Sequence, residues 1–152
     1  MEYVDRSFQL YRDYLEKNRE RFPQGVFEFS YDMERHTLNS PHSLHDSWLT
    51  SITVKENRKR ERPFEPNPTI ELILLGQMHD RDIVLTYRGI VSYVVTGNKN
   101  PYNYADTFLG DISCHEVRVT DAGLLIHEIE FFSDSKIIVT CETFECDENE
   151  YA

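Results

Sequence analysis

The chain is poor in several things, and each scarcity excludes something. Its 152 residues include three cysteines, six glycines and one tryptophan. Cys114, Cys141 and Cys146 are odd in number and lack CxxC spacing, which argues against a disulfide framework and a zinc knuckle. The glycines form neither GxGxxG nor GxxxxGK, so no phosphate-cradling loop is expected. There is no GxSxG nucleophile elbow. No apolar run approaches the ~20 residues of a membrane span, and residues 1–6 lack the apolar stretch of a signal peptide. A reduced, cytoplasmic, soluble protein is the expectation, with no membrane contact. Positive charge is scarce too: 16 Lys and Arg stand against 27 Asp and Glu, a net −11. That balance disfavours nucleic acid, whose phosphates need neutralising cations.

What the chain does have is material for a core: nine Phe, nine Tyr and 39% hydrophobic residues in the length of one domain, taken as 1–152. Val4, Phe8, Tyr11 and Leu15 recur at i, i+4, i+7 and i+11, one face of an amphipathic helix over residues 2–21 that Pro23 and Gly25 close. The period then shifts to two. Phe27, Phe29, Tyr31 and Met33 alternate with polar residues, as do Trp48, Thr50, Ile52 and Val54, and both stretches read as strands. Ile70–Leu75 is nearly continuous in apolar residues, a candidate central strand. Residues 83–87 and 90–96 follow, with Gly89 marking a bulge or bend. Residues 113–120 and 124–132 form a hairpin about Asp121-Ala122-Gly123, and 136–144 makes the last strand. The resulting expectation is an α+β fold. An N-terminal helix packs on a largely antiparallel sheet of seven to eight hairpin-connected strands over 26–144, in one sheet or two, with an acidic tail at 145–152 that frays.

Two groups of residues could carry chemistry. His42, His45 and Asp46 form an HxxHD string, and His79 and Asp80 form a second His-Asp pair. Imidazoles and carboxylates at such spacing suit a divalent metal, and with it a metal-dependent hydrolase. The same residues also read as structural. Asp46 sits at the entry to a strand, His45 is placed to bond a neighbouring carbonyl, and His79-Asp80 lies in a hairpin connection. The second group is the hairpin. With residues 121–123 as its loop, His127 falls opposite Val117 and His115 opposite Ile129, while Glu116 and Glu128 share the other face. The plainer expectation puts both histidines among apolar neighbours and both carboxylates outward in water. Cys141 and Cys146 lie among acids, which raise a thiol pKa and make poor nucleophiles. Residues 55–62 hold five cations and two acids, and read as a solvated hairpin tip.

Ser43-Leu44-His45-Asp46-Ser47-Trp48-Leu49 followed by Ile52 resembles an L-H-D-S opening in small bacterial proteins, some of them grouped with immunity proteins of polymorphic toxin systems. The run Leu125 to Phe131 and then Ile137 to Phe144 is similar to the closing hairpin of the same proteins. The resemblance implies a small cytoplasmic α+β protein that neutralises a toxin, and it transfers no catalytic residue. With the charge, it makes a non-enzymatic interaction module for a basic protein partner the leading expectation. No cofactor is expected, and a divalent metal at His42, His45, Asp46, His79 and Asp80 is the alternative. A third expectation is a structural or oligomerising domain, in which an edge strand or the Ile70–Leu75 segment serves a homodimer.

Overall fold

Ser7 starts the first helix by accepting a hydrogen bond from the Leu10 N–H at 2.8 Å, the usual duty of a serine N-cap. In the computed structural model, which describes residues 1–152, this helix, α1, spans Phe8–Lys17 and buries Tyr11 and Leu15. It is shorter than the 2–21 expected, and a 3-10 turn at Arg19–Arg21 follows it. The next segment corrects the sequence reading. Residues 27–34 are not a strand, because Gln24–Tyr31 forms a second helix, α2. The apolar residues here satisfy both periods. Phe27 and Phe29 alternate, yet Val26, Phe29 and Ser30 also stand at i, i+3 and i+4, and those are buried. In so short a run, packing decides, and Phe29 packs edge-on against Phe144.

Six strands follow: β1 (Trp48–Glu56), β2 (Pro68–Leu75), β3 (Arg81–Thr96), β4 (Ile112–Val119), β5 (Leu125–Phe131) and β6 (Lys136–Glu150). They form one antiparallel sheet in the order β1-β2-β3-β6-β5-β4. The expected count of seven to eight falls to six because one segment is α2 and because 83–87 and 90–96 are a single strand. Gly89 makes that continuity feasible. Its φ is +65°, the register shifts between Ile90 and Ser92, and a Cβ at Gly89 would lie 2.6 Å from Glu142. β2 is second from the edge, not central; β3 and β6 occupy the middle. Residues 145–150, expected to fray, are paired in register with Arg81–Thr86.

The sheet is stepped. β2 covers β3 only from Arg88 down to Asp82, and β5 covers β6 only from Lys136 to Cys141. One half therefore reads β1-β2-β3-β6 and the other β3-β6-β5-β4. One face carries Ile70, Leu72, Leu74, Ile83, Leu85, Tyr87, Leu125, Ile129 and Val139. With Tyr11, Leu15, Phe22, Phe27, Phe29 and Leu44 above it, this face makes one cluster of 22 buried residues. Each large side chain so buried contributes roughly 1.5–3 kcal/mol.

The β4 edge is closed by side chains. The Tyr11 hydroxyl donates to the Val117 carbonyl at 2.9 Å and accepts the Val117 N–H at 2.7 Å. Tyr14 accepts the Val119 N–H at 3.0 Å, and His45 Nδ1 donates to the Ser113 carbonyl at 2.9 Å. Backbone groups that would template another strand are thereby satisfied within the chain. No helix is long and apolar enough to cross a membrane.

Candidate functional site

The β4–β5 register is the one the hairpin loop implied: His127 faces Val117, His115 faces Ile129 and Glu116 faces Glu128. On the core face the two histidines join a buried chain of hydrogen bonds. Tyr87 OH lies 2.7 Å from His127 Nδ1, His127 Nε2 lies 3.1 Å from His115 Nδ1, and His115 Nε2 lies 2.9 Å from the Arg35 carbonyl. Its direction follows from the last link. A carbonyl only accepts, so His115 Nε2 carries a proton. In neutral rings His115 Nδ1 then accepts from His127 Nε2–H, and His127 Nδ1 accepts from Tyr87 O–H. Burial supports neutrality. It pushes the His127 pKa down to about 3 and His115 well below its ordinary value, with the nearby His36 and His127 adding to the effect on His115. His36 stacks on His115 at 4.2 Å and is lowered to about 4, also chiefly by burial.

The opposite face overturns one expectation. Glu116 and Glu128 are not outward in water; they are 0% and 6% exposed. Residues 1–5 fold over them. Glu116 accepts the N–H groups of Glu2, Tyr3 and Val4 at 3.0, 3.1 and 2.9 Å. Arg118 bridges Glu116 and Glu128, reaching Glu128 at 3.0 Å. Burial works to raise the Glu128 carboxyl, but contacts with Glu130 and Arg118 outweigh it and hold the group below its ordinary value. No feature of the strand pattern could have shown this, because the cover comes from more than 110 residues away.

The HxxHD residues are divided among separate contacts. His42 donates from Nδ1 to Glu148 at 2.8 Å. Arg81 joins Asp80 to the same Glu148, at 3.0 Å from each. His45 holds the Ser113 carbonyl, with Asp46 3.4 Å from its Nε2. His79 sits in the β2–β3 turn and packs on Trp48 with ring centroids 4.6 Å apart. The group of three that does bring ligand atoms within 4.8 Å of one another is Asp5, Cys114 and Glu130. Burial pushes its thiol up to about 12. Cys141 and Cys146 are likewise raised, to about 12 and about 11, with burial rather than the neighbouring acids as the main cause.

The remaining candidate is the outer face of the β1-β2-β3-β6 half, since Phe29 and its helix pack on the Phe144 side. The register sets its side chains in rows across four strands. Thr53, Glu71, Thr86 and Glu145 form one, Ser51, Ile73, Val84 and Asp147 the next, and Leu75, Asp82 and Asn149 lie in a third. Lys55 and Arg88 flank the rows at one end, and Arg88 pairs with Glu145 at 3.1 Å. Glu71, Glu145 and Asp147 are exposed, and Ile73 and Val84 are half-buried between them. β2 carries one acid, Glu71, and β6 carries Glu145 and Asp147 on the same face; only the β2-β3-β6 order brings them together. Arg58, Lys59, Arg60 and Arg62 project on an exposed β1–β2 tip.

Comparison with family models, with curated proteins and with solved structures returns no match to this chain.

Proposed function

We propose that the chain is a non-enzymatic interaction module of the immunity type, which neutralises a basic toxin by receiving it on the outer face of the β1-β2-β3-β6 half-sheet. The observation that supports this is the row arrangement of Glu71, Asp82, Glu145 and Asp147 around Ile73 and Val84. Acids on a rigid strand surface steer a cationic partner over long range, while the apolar strip between them supplies area to bury. The histidines, by contrast, are already engaged by groups of the chain itself. The Tyr87-His127-His115 chain ends on a backbone carbonyl, and His42 is engaged by Glu148.

The test is a native purification using the immobilised chain as bait, with any bound protein identified by mass. A basic protein should be retained, and its association rate should fall steeply as salt rises. Reversing two exposed charges, Glu71→Lys with Asp147→Lys, should weaken binding at least about tenfold and leave the fold unchanged. Equal retention by the variant, or no protein partner at micromolar concentration, would overturn the assignment. Elemental analysis separates the metal-dependent hydrolase alternative. Stoichiometric zinc or manganese, lost in His45→Ala, would favour a metal function over toxin binding.

A further inference from the structure

The stepped sheet leaves four lengths of strand edge, and three of them are guarded. β4 is sealed by Tyr11, Tyr14 and His45. β1 has an irregularity between Leu49 and Ser51 and ends in Lys55 and Glu56. The far half of β6 carries Glu145, Asp147, Glu148 and Glu150. Bulges and charges of this kind are how edge strands avoid pairing with other chains. The fourth edge is β3 from Ile90 to Thr96, beyond the point where β2 stops. It has no charge and no proline from Gly89 to Asn98. It pairs with β6 on one side only. Val91, Tyr93, Val94 and Val95 are 60%, 48%, 53% and 43% exposed.

We infer that this bare edge is a dimerisation strand, on which residues 90–96 of a second copy of the chain pair antiparallel about a two-fold axis. The absence of charge on this strip admits a second copy, and the self-complementarity of the strand favours it. Two copies at −11 each repel over most of their surface, and a two-fold contact, which sets like against like, avoids that repulsion on a segment without charge such as Gly89–Asn98. An isologous contact must also offer what it accepts. A neutral antiparallel strand does so in its backbone groups, and the side chains agree. A two-fold axis near Tyr93 sets Tyr93 against its own copy, Val91 against Val95 and Ser92 against Val94, the β-branched and aromatic pairs that stabilise antiparallel strands. The core layer continues in the same direction. Tyr93 and Val95 stand beside the buried Val139 and Ile137 of β6, yet remain about half-exposed. A paired copy would cover them and extend the four-stranded half into a sheet of eight. The partner strand must leave the slot where β2 begins, and β3 ends at Thr96, after which Asn98 turns onto Ser135.

Seven residues at ~3.3 Å each make a strip only about 23 Å long. Its area falls short of the ~800 Å² per partner of a standard interface, so a micromolar dimer is expected. Sedimentation equilibrium of the full chain from about 10 to about 200 µM should show the mass rising from 18.0 kDa toward twice that value. Val94 is exposed and outside the core, so Val94→Lys should fold normally. It places like charges close to the two-fold axis and should weaken dimerisation at least tenfold. Hydrogen exchange on the unaltered chain is the second arm: amides in 91–96 should gain protection at high concentration, and those of β1 should not. A monomer throughout this range, a dimer indifferent to Val94→Lys, or concentration-dependent protection on β1 or β6 instead would overturn the inference. So would a different protein pairing with this edge while the chain itself stays monomeric.

Discussion

The two faces of the β4–β5 hairpin bury polar groups by opposite means. On the core face His115 and His127 lie among Phe29, Tyr87 and Phe144, and a directed chain of neutral hydrogen bonds satisfies them. On the reverse face Glu116 and Glu128 are held by Arg118 and by the backbone N–H groups of residues 2–4. Adjacent residues of one strand thus occupy a dry neutral site and a dry ionic one. The first is stable only while its groups stay uncharged, and the second only while its partners stay in place. A polar residue in a strand can therefore be as buried as a leucine, and its environment, not its type, decides which form is kept.

Acid should separate the faces most strongly. The ordinary histidine pKa is 6.5, and burial lowers both His115 and His127 in the folded chain. The unfolded chain therefore binds more protons below pH 6.5, so the histidines' contribution is complete above that value and is lost as pH falls through it. For the two fully buried histidines the loss is about 4 kcal/mol between pH 7 and pH 5, read from urea midpoints, and His36, lowered by burial to about 4, adds to it in the same window. Glu128 and Glu148 are lowered from 4.5 and should respond only in a lower window, as pH falls below that value.

Glu116→Ala breaks the ionic face alone. Three N–H groups and one arm of Arg118 lose their acceptor, at a cost of about 3–4 kcal/mol. Denaturant unfolding at pH 7 measures it, and amide exchange should rise first in residues 2–4.

His127→Leu attacks the neutral face. It leaves the Tyr87 hydroxyl and His115 Nδ1 without partners and costs about 2–3 kcal/mol at pH 7. Because it also removes a titrating group, its stability should vary less between pH 6.5 and pH 5 than that of the unaltered chain. An unchanged pH slope would contradict the neutral assignment.

Tyr87→Phe is the mildest change. Only His127 Nδ1 loses its donor, and about 1–2 kcal/mol should be lost with the pH slope retained.

Local rules in the sequence carried much of the fold. The β4–β5 register followed from a three-residue loop ending in Gly123, whose φ of +83° suits glycine. Gly89 marked the β3 bulge for the same reason. Residues 24–31 were misread because eight residues cannot separate a period of 2 from 3.6 when aromatic side chains fill both patterns. The end of β6 looked like a loose tail because its acids predict solvation. Yet Arg81 pairs with Glu148 and Glu150, and the backbone of β3 supplies the ladder. The acidic face was not legible, because β2 shows a single acid, Glu71, the acids of β6 read as a tail, and neither strand states which other strand it will lie beside.

What the sequence by itself determined was therefore local: an amphipathic N-terminal helix with Tyr11 and Leu15 on its buried face, the hairpin register, the bulge at Gly89 and the pairing of histidines on one side with glutamates on the other. Each depends on backbone sterics or on the period of a helix or strand, which a few neighbouring residues set. Only the tertiary structure decided which of these surfaces met water. Residues 1–5 covered Glu116, α1 sealed β4, and the early end of β2 left residues 90–96 of β3 bare. Burial and edge pairing are relations between distant segments, and their energy exists only once the chain has brought those segments together.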